Sequence, residues 1–73
     1  MKYIETKPGV MSGDLVIKGT RIPIILIFSF LKQGYSLDEI HEMYDWVDKK
    51  TLSGAIDEAI ILLNETLHAK ETV

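Results

Sequence analysis

The spacing of apolar residues changes character along the chain, and each change marks an element. In the C-terminal part, Leu52, Ala55, Ile56, Ala59, Ile60, Leu63 and Leu67 recur at i, i+3 and i+4 over four turns, the stripe of an amphipathic helix. Asp48 stands just ahead of it as an N-cap. Ile61 and Leu62 fall beside the stripe and widen the apolar surface beyond what a small core covers. Upstream, Ile24 to Gln33 is apolar nearly all round, which describes a helix buried on most of its sides. Pro23 suits the first position of that helix, and Gly34 suits a C′ residue with positive φ. Ser36-Leu37-Asp38-Glu39 reads as a capping box, opening a second helix from about Leu37 to Tyr44 with Leu37, Ile40 and Tyr44 on one face. Asp45-Trp46-Val47 separates it from the third.

The first twenty-two residues follow a different rhythm. Tyr3-Ile4-Glu5-Thr6 and Leu15-Val16-Ile17 are short β-favouring runs, set off by turns at Pro8-Gly9, Ser12-Gly13-Asp14 and Gly19-Thr20. Strands of three or four residues are not stable alone, so they must lie on the helical body or pair across a dimer. The pattern predicts one mainly α domain: an N-terminal β element over 1–22, a three-helix helix-turn-helix core over 23–68, and a frayed tail over 69–73.

Size and composition sharpen this. A chain of 73 residues buries only about 60% of its unfolded surface. It is nevertheless 47% hydrophobic and has no cysteine to staple a small core. Surplus apolar surface on so small a body predicts a homodimer, with Ile25, Phe28, Ile61 and Leu62 as its candidate surface. The longest apolar run, Ile22 to Leu31, contains Pro23 and Ser29 and is too short to cross a bilayer. With no signal-peptide pattern at Met1-Lys2-Tyr3-Ile4-Glu5, a cytoplasmic protein with no membrane partner is expected.

The net charge of −3 argues against a generic nucleic-acid binder, but it is unevenly spread. Residues 1–33 carry five basic against two acidic residues, and residues 34–73 three against nine. That polarity suits a charged partner or a symmetry mate.

Catalytic constellations are missing from the sequence. His41 and His68 are far apart, and His41 and Asp45 at i, i+4 form at most a helix-surface pair. Gly9, Gly13 and Gly19 make no phosphate-binding fingerprint. No enzyme, metal, cofactor or small-molecule substrate is therefore expected. The helix-turn-helix plan is more informative, because its last helix enters the major groove of DNA. It places Lys49, Lys50, Thr51 and Ser53 at the N-terminus of the reading helix, where the lysines and the helix dipole attract phosphate. Gly54-Ala55 leaves little side chain in that turn, predicting close packing of another helix. Asp45, Asp48, Asp57 and Glu58 flank the lysines and repel a duplex. Lys18 and Arg21 restore a positive face only if the fold brings them to the third helix.

The run Gly13-x-x-Val16-Ile17-Lys18-Gly19-Thr20-Arg21-Ile22-Pro23 precedes a buried helix. Gly34-Tyr35-Ser36-Leu37-Asp38-Glu39-Ile40, Tyr44 and a last helix containing Ala55 follow it. Together these closely resemble the DUF433 family, small bacterial and archaeal proteins of which many carry a proposed antitoxin role. The likeness spans Ile4 to Ile61, and Ile17 to Pro23 is its most specific stretch. The resemblance implies a homeodomain-like helix-turn-helix core with a small β element, homodimers, and the antitoxin half of a toxin–antitoxin pair whose toxin is often a PIN-type ribonuclease. The chain departs from the family pattern at Gly13-Asp14-Leu15, where a basic residue and proline are common, and at Tyr44-Asp45, where Tyr-Pro is common. Arg21, with its five-donor fork, is expected to tie the β element to the acidic half by an ion pair. Two functions remain open at this point: a helix-turn-helix regulator on operator DNA, a toxin, or both; and an acidic module that binds a protein partner without touching DNA.

Overall fold

A computed structural model describes residues 1–6 and 15–71, with side chains as far as residue 65. The expected turns at Pro8-Gly9 and Ser12-Gly13-Asp14 lie outside the described residues, as do the side chain of Leu67 and residues 72 and 73. Two short strands, β1 (Ile4–Thr6) and β2 (Leu15–Ile17), precede three helices, α1 (Ile24–Lys32), α2 (Leu37–Met43) and α3 (Lys49–Glu71). The strands pair antiparallel with Ile4 opposite Ile17, Glu5 opposite Val16 and Thr6 opposite Leu15. Each helix packs on the other two, and the hairpin lies against α1 and α3. The chain is thus mainly helical, three helices with a small antiparallel sheet at the N-terminus.

Local chemistry sets the helix ends. Gly34 adopts φ +98°; its N–H donates to the Leu31 carbonyl at 3.0 Å and that of Tyr35 to the Phe30 carbonyl at 3.0 Å. This is a Schellman stop, and the rings of Phe30 and Tyr35 meet edge to face across it at 5.5 Å. The capping box at α2 is complete: the Glu39 N–H donates to Ser36 Oγ at 3.1 Å, and the Ser36 N–H to Glu39 Oε1 at 2.9 Å. The Asp48 carbonyl accepts the first intrahelical bond of α3, from the Leu52 N–H at 3.0 Å.

Pro23 sits one place earlier than the sequence suggests. It is the N-cap of α1, with ψ 137°, because Val16 bridges it and holds its backbone extended. The proline therefore couples β2 to α1 instead of opening the helix. α3 also continues as helix through residues 69–71, beyond the expected end at 68.

The core is built from Ile4, Ile17, Ile22, Ile24, Ile27, Ile40, Val47, Leu52, Ala55 and Ala59. α1 contributes only Ile24 and Ile27 as buried residues, while Ile25 is 62% exposed. The nearly all-round apolar character of α1 thus does not correspond to burial on most sides. Likewise the α3 stripe is buried at Leu52, Ala55 and Ala59, but Ile60, Ile61 and Leu63 are each more than half exposed. α3, with 23 residues, is about 34 Å long at ~1.5 Å per residue.

Gly54 does serve close packing, but its neighbour is Tyr3, just ahead of β1, and not a helix. A Cβ at this position would collide with Cδ2, Cε2 and Cγ of the Tyr3 ring. The same stretch of α3 anchors the N-terminus through Glu58. Its carboxylate accepts the N–H groups of Lys2 at 3.0 Å, Tyr3 at 2.7 Å and Ile4 at 3.2 Å. Partial burial raises the Glu58 pKa, but these three donors and the N-terminal ammonium outweigh it and hold the group below its ordinary value. The tie between β element and acidic half is therefore made by Glu58 and backbone amides. Arg21 is exposed and forms no ion pair among the described residues.

Candidate nucleic-acid interface

The loop from Ile17 to Ile22 is a tight turn organised by one hydroxyl. Gly19 takes φ +80°, a conformation that costs glycine nothing, and its N–H donates to Glu5 Oε2 at 2.9 Å. The buried Thr20 donates its Oγ1–H to the Ile17 carbonyl at 2.7 Å and accepts the Ile22 N–H at 3.0 Å. A backbone bond from the Ile17 N–H to the Ile22 carbonyl, 3.0 Å, closes the loop. Of the motif Val16 to Pro23, then, Val16, Ile17, Ile22 and Pro23 are held in core or bridge, and Gly19 and Thr20 shape the turn. Lys18 and Arg21 are left exposed on it. Gly13, the first residue of the motif, lies outside the described residues.

This loop faces the turn before α3. Lys18, Gly19 and Thr20 line one side of a hollow of about 270 Å³, and Trp46, Val47, Asp48 and Thr51 line the other. The condition that Lys18 reach the third helix is met. Trp46 is 65% exposed, with its ring edge to face against Tyr44 at 6.5 Å. Sequence reading passed over it, although a tryptophan between two helices in a polar turn is a usable signal, since so large an apolar ring is seldom left in water without a partner.

The other candidates are distributed less favourably. Lys49 is held by the carboxylate of Asp38 on α2. The hydrogen bond and charge of Lys49 lower the Asp38 pKa, and the lysine is correspondingly less available to phosphate. Lys50 is exposed, Thr51 and Ser53 are half-buried in the first turns of α3, and Asp48 brings a negative charge into the hollow itself. Lys18 and Thr51 are therefore brought together at the hollow, and Arg21, Lys50 and Ser53 do not line it. Among the described residues no group of three His, Asp or Glu side chains is arranged to hold a metal ion. Among the described residues no helix is long and apolar enough to cross a membrane.

A second concavity of about 330 Å³ lies between α1 and α3. It is lined by Leu15, Ile24, Ile25, Phe28, Ala59, Leu62 and Leu63. Three of the four candidate dimer residues, Ile25, Phe28 and Leu62, line it; Ile61 stands exposed on the same helix.

Comparison with known proteins agrees with this architecture. The family model DUF433, a protein family of unknown function, matches residues 4–59. The chain is also similar to a crystal structure of a DUF433 member protein from Anabaena variabilis, with 25% sequence identity, a TM-score of 0.73, and coverage of 97% of this chain and 69% of that one. No functionally curated protein matches.

Proposed function

The chain belongs to the DUF433 family, and from that membership and the site's geometry we propose that it is a small helix-turn-helix protein of antitoxin type. In this reading it binds double-stranded operator DNA, as a homodimer, from a cytoplasmic location and without catalysis. The observation that carries it is the hollow in which Lys18 and the Gly19-Thr20 turn oppose Thr51 in the first turn of α3. A rigid loop cation beside a helix N-terminus is suited to phosphate, which fixes the protein's register on a duplex. Lys50 and Arg21 add exposed cations, and Thr51 and Ser53 add hydroxyls for base edges or backbone.

The test is an electrophoretic shift with the protein's own upstream DNA at about 50 mM salt, where phosphate contacts are strongest. A shift at micromolar protein is expected, and Lys18→Ala should reduce the salt slope by about one unit. Trp46 is the sole tryptophan, so its emission reports directly on the hollow: DNA should quench or blue-shift it. Absence of any shift and of any change in emission removes the DNA reading.

A second reading is favoured by the Lys49–Asp38 pair and by the exposed acids Glu39, Glu42, Asp45 and Asp57 on α2, the α2–α3 turn and α3. An acidic surface complements a basic groove such as that of a ribonuclease. Here the partner is a toxin, with a PIN-type ribonuclease the candidate that the family suggests. Co-purification with the product of the adjacent gene tests it, and a clean lack of association sinks it.

A further inference from the structure

We propose that the hollow between the Ile17–Ile22 loop and the turn before α3 takes one unpaired nucleotide, its base stacked on Trp46, its amino group on Asp48 and its phosphate on Lys18. This goes beyond the operator reading, which uses the hollow only to hold a phosphate of a duplex. A free nucleotide and a nucleotide within a single strand offer the same chemistry.

Trp46 carries the first argument. It lines the hollow together with Lys18, its ring is 65% exposed, and its contact with the Tyr44 ring is edge to face. An open indole beside a cation is the pairing that holds unpaired bases, because a base stacks on the aromatic face while the cation meets the backbone. A duplex cannot use that face, since each of its bases is already covered above and below by its neighbours. Only an unpaired base has a face to give.

Asp48 carries the second. It lines the same hollow, and among the described residues it forms no ion pair and no side-chain hydrogen bond. The other carboxylate at the loop, Glu5, is committed to the Gly19 N–H at 2.9 Å. Against a phosphate alone Asp48 is repulsive, so a pure phosphate site leaves it unexplained. Against a base it accepts from the amino group that cytosine carries at N4 and adenine at N6, and it repels the O4 that thymine has in place of the cytosine N4. Lys18 then meets the phosphate from a backbone that is already fixed. The buried Thr20 hydroxyl bonds the Ile17 carbonyl at 2.7 Å and the Ile22 N–H at 3.0 Å, so the loop gives up little freedom on binding.

The experiment follows the emission of Trp46, the sole tryptophan, at about 50 mM salt. The ligands are CMP, oligo(dC) and oligo(dT) strands of about eight nucleotides, and the upstream duplex. Oligo(dC) should quench the emission and bind several-fold tighter than oligo(dT), which has the same backbone charge. Polarisation of labelled strands reads the variants. Trp46→Ala should weaken oligo(dC) binding roughly ten- to hundredfold, and Trp46→Phe should recover most of the loss. Asp48→Asn, which still suits a helix N-cap, should erase the preference for oligo(dC), and Lys18→Ala should weaken both strands alike. Oligo(dC) bound tighter than CMP identifies a strand as the ligand, and equal affinity identifies the free nucleotide. No binding of CMP or oligo(dC) overturns the proposal. So does a strand affinity that Trp46→Ala leaves intact, equal affinity for oligo(dC) and oligo(dT), or a preference that survives Asp48→Asn. A duplex bound without any single-strand binding overturns this inference and leaves the operator reading standing; single-strand binding without a duplex shift does the reverse.

Discussion

Gly54→Ala should reverse its usual sign in this protein. In an exposed helix interior, alanine is favoured over glycine by about 1 kcal/mol. At position 54 the added methyl would collide with Cγ, Cδ2 and Cε2 of Tyr3. The ring cannot yield by a backbone shift. The Tyr3 N–H is held by Glu58 at 2.7 Å and its carbonyl by the Lys18 N–H at 2.9 Å. The side chain must instead leave its seat, forfeiting the packing of a half-buried aromatic, or force a shift in α3. Either costs about 2–3 kcal/mol. Offset by the propensity gain, Gly54→Ala should destabilise by about 1–2 kcal/mol, lowering Tm by roughly 5–10 °C in a domain of this size. In a Tyr3→Ala background the collision is gone and the same substitution should stabilise by about 1 kcal/mol. Urea unfolding of the four proteins of the cycle, at one fixed concentration because association shifts apparent stability, gives the coupling energy. A stabilising Gly54→Ala in the native background, or a coupling near zero, would refute the reasoning.

Two further predictions follow from the hydrogen bonding of the β element. Because the folded-state pKa of Glu58 is lowered, its contribution to stability is fully present above the ordinary glutamate value of 4.5 and is lost as pH falls through the lowered one. Glu58→Gln should lower Tm at neutral pH and flatten the acid limb of the Tm–pH profile; an unchanged acid limb would show that the carboxylate does not bind the N-terminal amides. Thr20→Val removes both bonds of a buried hydroxyl at nearly constant volume and leaves the Ile22 N–H without its acceptor. A loss of about 1–3 kcal/mol in urea unfolding is expected, with Thr20→Ser recovering most of it.

The helix boundaries were readable because their causes lie within a few residues. Ser36 and Glu39 cap each other across one turn, and α1 stops where the Gly34 N–H bonds to Leu31 and the Tyr35 N–H to Phe30. Gly19 and Thr20 likewise declare a turn whose bonds span Ile17 to Ile22. The site was legible only in part. Lys18 and Thr51 are thirty-three positions apart, and the sequence offered both as cations or hydroxyls without saying that they share a hollow. Lys49 looked as free as Lys50 until Asp38, from the preceding helix, engaged it. Trp46 was missed because periodicity records that a residue is apolar, not whether anything covers it.

What the amino-acid sequence determined by itself is the three-helix plan, its stops and caps, and the membership implied by the Ile17–Pro23 motif. Capping, φ preference and apolar periodicity act over one to five residues, so composition and spacing are sufficient to specify them. Tertiary structure decided which neighbours those elements acquire. It sets the ring of Tyr3 on Gly54, the amides of Lys2, Tyr3 and Ile4 on Glu58, and Val16 beside Pro23. It leaves an apolar groove between α1 and α3 uncovered. Glu58 and Gly54 meet residues more than fifty positions away, and Pro23 meets a strand seven positions back. Such pairings are selected by the packing of the whole body, which no local window contains.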